Sequence, residues 1–297
     1  MADQTVSYSE FKNYTECPLR WKLMYVDGLK DERDSIDTIF GTAVHETIQQ
    51  WLPLHFANPT KAKKLDLDVP LKERLIANFK LSITENADGT KNYICPKEVV
   101  QEYYEDGCAI LNHLQKYANE FFPTKGHQLI GCEVPLLTPI DGKALTFKGF
   151  LDIVIYEEAT NFFHIIDLKT SRAGWYDAQK RDMKKINQLL LYKKYYAEQF
   201  NVDPANIFPK FIILKRKIKE HSEFPIKRLY NFEPSHGTIS MKRATAEWEH
   251  FLSECYDNGQ HKVNNIKAIP SESACRFCIF RNDPTHCQYS WYSRSKK

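Results

Sequence analysis

Gly149-Phe150-Leu151-Asp152 and Ile165-Ile166-Asp167-Leu168-Lys169 are the two stretches of the chain that decide its fold. Each joins apolar residues, several of them β-branched, to an acidic residue, and this pattern predicts β-strands. The polar residues 157–161 between the two stretches predict a turn. The sequence therefore predicts a β-hairpin that carries one acid on each strand.

The two acids of this hairpin face each other if its turn is centred between Ala159 and Thr160. Asp152 then lies opposite Asp167, and directly opposed residues have Cβ atoms about 4.5–5.5 Å apart. Two carboxylates at that separation need a cation or a shared proton between them. Lys169 projects from the same face as Asp167, because side chains alternate along a strand. Two acids and a lysine around one point predict a site that binds Mg²⁺ or Mn²⁺ and activates a water molecule.

A surface role is the alternative for these three residues. In that case Asp152 caps a strand, and Asp167 pairs with Lys169 at the edge of the sheet. A slip of one residue in the register would also turn Asp152 to the other face. The apolar strand on each side of the pair and the mirrored position of Asp152 favour the metal site.

Two helices carry side chains that can reach this site. Gly41-Thr42-Ala43-Val44-His45 places an imidazole beside an apolar helix stripe, and neutral imidazole is a good metal ligand. The alternative is a half-buried histidine that binds no metal. Gln188 and Tyr192, at positions i and i+4, share one helix face. Their amide and hydroxyl groups can contact phosphate oxygens or orient a lysine.

The order of these motifs resembles the RecB-like branch of the PD-(D/E)XK nucleases. The four motifs are G-x-x-x-H at Gly41–His45, G-x-x-D at Gly149–Asp152, D-x-K at Asp167–Lys169 and Q-x-x-x-Y at Gln188–Tyr192. The opening Tyr8-Ser9-Glu10-Phe11, with Tyr14 and Cys17-Pro18 after it, is also similar to the first helix of that family. The resemblance runs from Tyr8 to Cys287 and leaves out residues 53–92.

The resemblance implies a role for each matched residue. His45, Asp152 and Asp167 would ligate the catalytic metal, and Lys169 would assist the attacking water. Glu133, in the strand-like stretch Cys132-Glu133-Val134-Pro135, is a further candidate acid for this site. A glutamate on an edge strand, with no part in metal binding, is the alternative for Glu133.

The C-terminal cysteines predict a second metal site. Cys275-Arg276-Phe277-Cys278 is a C-x-x-C motif, and Cys287 follows it after eight residues. Three thiols can bind a soft metal, but a closed tetrahedral site needs a fourth ligand, for which His286 and His261 are local candidates. The resemblance, here to AddB-like nucleases, implies Cys17 instead and a [4Fe-4S] cluster. The gap before Cys287 is longer than is usual in that branch, so zinc and the absence of a metal remain alternatives.

The predicted elements describe a single α/β domain with helices around a central sheet. Predicted helices cover Ser9–Tyr25 with a possible break at Cys17-Pro18, Phe40–Leu52, Leu71–Leu81, Glu98–Phe122, Lys180–Phe200 and Trp248–Tyr256; predicted strands cover Leu129–Leu137, Leu145–Ile155, Phe162–Leu168 and Phe208–Leu214. The resemblance makes the core restriction-endonuclease-like, with a mixed sheet. The predicted segments are a helical N-terminal arm (1–56) with Cys17 and His45, an insertion (57–94), the nuclease core (95–234), and a C-terminal helix with a cysteine-rich tail (235–297).

Composition sets broader limits on the protein. Hydrophobic residues make up 42% and charged residues 27% of the 297 residues, as in ordinary globular proteins. The net charge of +3 does not by itself indicate a nucleic-acid partner. Local basic clusters at Lys180–Lys185, Lys215–Lys219 and Arg294–Lys297, together with the aromatic residues, are predicted to hold a DNA strand, although each cluster alone also fits solvated surface charge.

Nothing at the start of the chain resembles a signal peptide, and no apolar run is long enough for a membrane helix. We therefore expect a cytoplasmic protein that does not enter a membrane. Thiols stay reduced in that compartment, so the eight cysteines need an explanation other than disulfides.

The predicted function is that of a metal-dependent DNA nuclease. The resemblance favours an exonuclease that acts on single-stranded or duplex ends in recombination, repair or replication. The alternative is a catalytically inactive or partner-dependent DNA-binding subunit of a recombination or CRISPR-adaptation complex. The chain has no G-x-x-x-x-G-K-[ST] motif, so a helicase or recombinase would be a separate protein partner.

Overall fold

The computed structural model describes residues 4–29, 35–86, 88–218, 226–262 and 266–291. The helices in these ranges are α1 (Tyr8–Glu16), α2 (Pro18–Trp21), α3 (Ile36–Ala57), α4 (Pro59–Ala62), α5 (Asp68–Leu81), α6 (Lys97–Lys116), α7 (Ala118–Phe121), α8 (Asp177–Lys180), α9 (Met183–Phe200), α10 (Thr238–Cys255) and α11 (Glu272–Arg276). The strands are β1 (Gln4–Ser7), β2 (Thr84–Glu85), β3 (Lys91–Asn92), β4 (His127–Pro139), β5 (Leu145–Glu157), β6 (Phe162–Ser171), β7 (Ile207–Lys215), β8 (Leu229–Phe232), β9 (Tyr256–Asp257) and β10 (Gln260–His261). A π-helical turn, Lys22–Val26, follows α2, and a 3₁₀ turn, Pro204–Asn206, precedes β7.

Six of the described strands form one mixed sheet, in which β1, β5, β6, β7 and β8 lie side by side and β4 pairs with β5. The β5–β6 hairpin has the predicted register, because Glu157 pairs with Phe162 and Ile153 pairs with Ile166. β6 and β7 are parallel, and β8 is antiparallel to β7. The prediction of an α/β fold with a restriction-endonuclease-like mixed sheet is confirmed.

Strand β5 has two different neighbours along one of its edges. Its first residues, from Leu145 to Lys148, pair in parallel with β1, and its last residues, from Ile153 to Glu157, pair with β6. Its other edge pairs with β4 over almost its whole length. Between Lys148 and Ile153 this edge of β5 pairs with neither strand, which leaves a gap between β1 and β6.

Helices cover both faces of the sheet. On one face α1, α9 and α10 pack against it with a cluster of buried residues that includes Phe11, Tyr195, Trp248, Phe147 and Leu151. On the other face α3, α5 and α6 pack with Ile48, Leu71, Ile110, Ile153 and Ile155. Leu151 and Ile153 stand two residues apart in β5 and would share a face in a regular strand. They join different clusters, so the alternation of β5 is interrupted at Asp152.

The helical arm begins as the sequence predicts. Ser7 caps α1, and Glu10 completes the capping box. The predicted break occurs at Cys17, whose backbone is extended and ends α1, while Pro18 begins α2. Proline suits this first helical position because it has no N–H to leave unbonded.

Three predicted helices have different limits in the structure. The helix from Phe40 is longer, since α3 continues through Pro53 to Ala57. The helix predicted for Glu98–Phe122 is interrupted at Tyr117, which separates α6 from α7. The helix predicted from Lys180 starts later, because the Asp182 carboxylate caps α9 and Lys180 belongs to α8. No described helix is both long and apolar enough to cross a membrane.

Two residues of one predicted DNA-binding cluster, Arg216 and Lys217, serve the fold instead. Arg216 is buried, donates to Asp106 at 3.0 Å and lies 3.7 Å from the centre of the Tyr103 ring. Lys217 forms ion pairs with Asp106 and Glu102 at 3.0 and 2.9 Å. These charges join β7 to α6 and are not available to phosphates. Four further residues of the predicted basic clusters lie outside the described residues: Lys219, Arg294, Lys296 and Lys297.

We predict that Arg216→Ala lowers the free energy of unfolding by about 2 kcal/mol, because Asp106 would stay buried with Lys217 as its remaining partner. Urea denaturation of the purified protein measures this change. Lys227→Ala is the matched control, since Lys227 pairs with Glu120 on the exposed surface at 2.8 Å. That control should stay close to wild type, and an equal loss in both variants would contradict the structural role of Arg216.

Candidate active site

The candidate site lies where β5 leaves β6. The recorded pairing of the two strands ends at Ile153 and Ile166. Beyond that point the Asp152 carboxylate takes the place of a backbone acceptor: its Oδ2 accepts the Leu168 backbone N–H at 2.8 Å. This charge-assisted hydrogen bond fixes the Asp152 side chain against β6.

Asp167 and Lys169 occupy the central strand β6, between β5 and β7. The Asp167 side chain is buried, and the Lys169 Nζ lies 2.8 Å from its Oδ2. The alternative placed the Asp167–Lys169 pair at an exposed sheet edge, and that location is wrong. The pair exists, but it is held inside the sheet beside Asp152.

Both acids have raised pKa values, which shows that the single positive charge of Lys169 does not fully offset their burial. Burial raises the pKa of Asp152 to about 6, an effect that Lys169 and the Leu168 N–H oppose and Glu133 strengthens. Burial likewise raises the pKa of Asp167 to about 6, with Lys169 opposing and Asp152 adding to the rise. Burial lowers the pKa of Lys169, but the two carboxylates raise it by more, so the ammonium stays charged. A divalent cation between the acids would favour their ionised forms.

Helix α3 brings His45 to the acids from the other layer. The His45 Nδ1 lies 3.8 Å from the Asp152 Oδ2, and the buried Nε2 makes no hydrogen bond to any described residue. Burial, assisted by the positive charge of Lys169, lowers the pKa of His45 to about 4, so the imidazole is neutral. Gly41 permits this approach, since a Cβ there would lie 3.2 Å from the Thr170 Oγ1.

Gln49 is a site residue that the sequence did not reveal. It lies one helical turn after His45, and its Nε2 donates to the Glu133 Oε1 at 2.6 Å and to the Asp152 backbone oxygen at 3.3 Å. Glu133 stands in β4 with a φ of 51°, in the left-handed region that non-glycine residues rarely adopt. Backbone strain of this kind is frequent at functional sites. The spacing of four residues from His45 was the one available signal for Gln49.

Helix α9 supplies Gln188 and Tyr192. The Gln188 Nε2 donates to the Tyr192 hydroxyl at 3.3 Å. Burial, with a contribution from the charge of Asp167, raises the pKa of Tyr192 to about 12, so this hydroxyl lies within electrostatic reach of the acids. A Cβ on Gly149 would come within 2.9 Å of the Tyr192 ring, so the glycine makes room for Tyr192.

Tyr8 is a second residue that the sequence did not mark for this site. Its hydroxyl is buried and makes no hydrogen bond within the described residues. Burial raises its pKa, and the negative charges of Asp182 and Asp167 add to the rise. Tyr8, at the start of α1, thus lies within electrostatic reach of Tyr192 and Asp167 without a recorded contact to the site.

The donor set suits a hard divalent cation. It combines the buried Asp167 carboxylate, the half-buried Asp152 carboxylate, the Glu133 carboxylate and a neutral imidazole whose buried Nε2 has no hydrogen-bond partner among the described residues. Oxygen donors dominate Mg²⁺ and Mn²⁺ sites, and Mn²⁺ also accepts imidazole. These residues fit the metal that the sequence predicts.

The four cysteines named by the sequence line one small cavity. Cys17 lies at the break between α1 and α2, Cys275 lies in α11, and Cys278 and Cys287 follow in the tail. Burial raises the pKa of the Cys287 thiol, and the proximity of Cys17 and Cys275 raises it further. All eight cysteines of the chain are free thiols.

Two polar groups at this cavity suit an anionic metal–thiolate group. The Arg20 side chain lines the cavity, and its Nε is buried without a hydrogen-bond partner among the described residues. The Trp291 backbone N–H donates to the Cys275 Sγ at 3.5 Å. The local alternatives to Cys17 have other partners: the His286 Nδ1 contacts Asp283 at 2.5 Å, and the His261 Nε2 contacts the Gln4 side chain at 2.9 Å.

Sequence comparison decides the family. The profile of the PD-(D/E)XK nuclease superfamily matches residues 5–282, which is most of the chain. The chain belongs to the PD-(D/E)XK nuclease superfamily. The match includes His45, Asp152, Asp167, Lys169 and Gln188, and it ends before Cys287.

Other comparisons add little to the superfamily assignment. A search of curated protein sequences finds no match. Among solved structures, the crystal structure of protein VC1899 from Vibrio cholerae is similar at 10% identity and a TM-score of 0.22. That alignment covers 83% of this chain but only 56% of the other protein, so this chain spans little more than half of that relative.

The superfamily has a common general chemistry. PD-(D/E)XK nucleases are metal-dependent enzymes that hydrolyse phosphodiester bonds of nucleic acids with divalent cations such as Mg²⁺. The family match therefore places the chain in a superfamily of metal-dependent nucleases.

Proposed function

We propose that this PD-(D/E)XK protein is a Mg²⁺- or Mn²⁺-dependent deoxyribonuclease that acts as an exonuclease on single-stranded ends. The observation that carries the proposal is the Asp152–Asp167–Lys169 group at the opening between β5 and β6, where a buried and a half-buried acid lie close to one ammonium. The RecB-like order of the motifs supports action on DNA ends in recombination, repair or replication. A helicase or recombinase would then be a separate partner.

Each side chain has a distinct proposed part in the reaction. Asp152, Asp167 and His45 hold the metal, which when bound supplies Lewis-acid chemistry to the scissile phosphate. Glu133 completes the acidic side of the site, and Gln49 holds it in place through the 2.6 Å hydrogen bond.

Lys169 acts as a donor and not as a base, because its raised pKa keeps the ammonium charged at neutral pH. It can orient the attacking water and offset the negative charge that develops on the phosphate. Gln188 and Tyr192, joined by their hydrogen bond, complete the side of the site next to Lys169 and can donate to a phosphate oxygen.

A basic strip leads away from this site and supports the binding of a nucleic-acid strand. Lys185 lies within electrostatic reach of Lys169 and Lys12, and its Nζ stands 4.5 Å from the centre of the Trp175 ring. Lys180 and Lys215 both lie over the Tyr230 ring, at 5.7 and 5.0 Å. The Tyr230 hydroxyl accepts the Trp175 N–H at 2.7 Å and so connects the two halves of the strip.

The lysines of the basic strip are available to phosphates. Within the described ranges, Lys12, Lys180, Lys185 and Lys215 form no ion pair with an acid, in contrast to Arg216 and Lys217. The rings beneath three of them hold their ammonium groups in place. A row of unpaired cations that begins at the acids is what a bound strand requires.

A catalytically inactive DNA-binding subunit is the second candidate function. A protein with that role has no need of two neighbouring acids withdrawn from solvent, because their charges are unfavourable without a cation. The complete set of acids, lysine and imidazole therefore favours the enzyme over the inactive subunit. A nuclease that works only inside a partner complex, as in CRISPR adaptation, would keep the same residues and require that partner for cleavage.

We further propose that Cys17, Cys275, Cys278 and Cys287 hold a [4Fe-4S] cluster. Four thiols around one cavity, with Arg20 to offset the negative charge of the cluster, support this proposal. Cys17 is distant in sequence from the other three, so the cluster would fasten the first helices to the C-terminal tail. Its contribution would be structural, because metal-binding free energy adds to the free energy of folding.

We predict that Asp152→Asn, Asp167→Asn and Lys169→Met each reduce cleavage of end-labelled single-stranded DNA by roughly 10²–10⁴-fold. EDTA should abolish wild-type cleavage, and excess Mg²⁺ or Mn²⁺ should restore it. Asp141→Asn, which changes an exposed acid in the β4–β5 loop, is the matched control and should cleave normally. Full activity of folded Asp152→Asn would disprove the proposed site.

We predict that the double variant Lys12→Ala/Lys185→Ala binds single-stranded DNA roughly tenfold more weakly at ~0.1 M salt, because fewer counterions are released. The slope of log affinity against log salt should fall by roughly 1 to 1.5. Fluorescence anisotropy at several salt concentrations measures both values. Lys242→Ala, an exposed lysine on α10, is the control; an unchanged slope in the double variant would show that the strand does not follow the basic strip.

We predict that anaerobically purified wild-type protein is brown and contains about four irons per chain. Cys17→Ala should lose the colour and unfold at a lower temperature, whereas Cys95→Ala, the control, should keep both. Iron analysis and visible absorption measure the outcome. A colourless protein that binds zinc, is insensitive to Cys17→Ala and loses zinc on His286→Ala would replace the cluster with the zinc alternative.

A further inference from the structure

A second group of metal-ligand side chains lies at the turn end of the β5–β6 hairpin. His127 of β4, Glu157 of β5 and His164 of β6 each offer one ligand atom, and these atoms all lie within 4.8 Å of one another. The strand register explains the meeting, since His127 pairs with Glu157 across β4 and β5. His164 pairs with Ile155, the next residue of β5 on the Glu157 face.

This group is separate from the candidate active site. Glu157 stands five residues from Asp152 along β5, which is about 16 Å of strand. His164 stands three residues from Asp167 along β6, about 10 Å. Glu157 follows Ile153 and Ile155 at two-residue spacing along β5, and His164 precedes Ile166 in the same way along β6. The group therefore lies on the sheet face that α3 covers.

The side chains already have contacts that suit metal ligands. The His127 Nδ1 is 2.9 Å from the Lys125 backbone oxygen, so this nitrogen carries the proton and the Nε2 carries the lone pair. Metal-binding imidazoles usually donate their other N–H to such a carbonyl. The His164 Nε2 and the Glu157 Oε2 are 3.1 Å apart.

These distances are close to those of a complete site. Two ligands at about 2.0–2.1 Å from a zinc ion with tetrahedral angles lie roughly 3.3–3.5 Å apart. The His164 Nε2 and the Glu157 Oε2, at 3.1 Å, lie a few tenths of an ångström closer together than that. Small side-chain rotations would bring His127, the third ligand, to the same distance.

We infer that His127, Glu157 and His164 form a divalent transition-metal site, for which Zn²⁺ is the preferred ion. Two imidazoles and one carboxylate suit Zn²⁺ better than Mg²⁺, which prefers oxygen ligands alone. The ion would join three neighbouring strands, β4, β5 and β6, at one end of the sheet. Its role is structural, and it does not depend on the proposed nuclease site.

A neighbouring cation limits the affinity of this site. The Lys210 ammonium on β7 is close enough to influence both His164 and Glu157 electrostatically. A lysine near the site repels a bound cation, so its removal should tighten zinc binding. A Lys210 variant should therefore bind zinc more tightly, whereas variants of the three ligands should bind it more weakly.

Equilibrium dialysis against micromolar Zn²⁺ tests the site, with bound zinc counted per chain in the intact protein. His164→Ala and His127→Ala should each bind one zinc fewer than wild type. His250→Ala, which removes an exposed histidine of α10, is the matched control and should bind as wild type does. Because each variant is compared with wild type, zinc at the acids or the cysteines cancels from the difference.

Thermal unfolding gives an independent readout. Zn²⁺ should raise the unfolding midpoint of wild type and of His250→Ala by a few degrees more than that of His127→Ala. Lys210→Met should bind zinc several-fold more tightly than wild type. If His164→Ala does not fold, His127→Ala and Glu157→Gln decide the question. Equal zinc content and equal midpoint shifts in wild type, His127→Ala and Glu157→Gln would overturn the inference and leave a His164–Glu157 hydrogen bond only.

Discussion

The hydrogen bond from the Leu168 N–H to the Asp152 carboxylate is the contact on which the site depends. It forms where β5 leaves β6, at a point where the backbone of β5 no longer pairs with that strand. The carboxylate thereby lies beside Asp167 in a buried place, where its charge is unfavourable without a cation. One local separation of two strands thus creates both a place for a metal and a need for it.

The surrounding structure holds this separation open from both faces of the sheet. Gly41 lets α3 approach β6 closely enough for His45 to reach the acids, and Gly149 leaves room for the Tyr192 ring of α9. On the side of the site formed by β4, the Glu133 carboxylate is held in position by its left-handed backbone and by the hydrogen bond from Gln49. The site is therefore built from two helices and three strands, and no single motif specifies it.

The sequence predicted the parts of this arrangement that local pattern controls. The hairpin register followed from a polar turn between two apolar stretches, and the helix break followed from Cys17-Pro18. Strand β1 was missed because its four residues carry little apolar pattern and pair with Leu145–Lys148, far along the chain. The Gln49–Glu133 bond and the burial of Arg216 by Asp106 escaped for the same reason, since 84 and 110 residues separate the partners. Pattern in the chain fixes local elements, but which side chains meet depends on how the layers pack.

A crystal structure of the protein with Mn²⁺, solved with anomalous scattering from the metal, tests the central claim most directly. We expect an anomalous peak between Asp152 and Asp167, roughly 2.0–2.4 Å from their carboxylate oxygens and close to the His45 imidazole. The same experiment on Asp152→Asn should lose that peak while the Leu168 region keeps its fold. Full occupancy by Mn²⁺ elsewhere in the protein, with no peak between Asp152 and Asp167, would contradict the account.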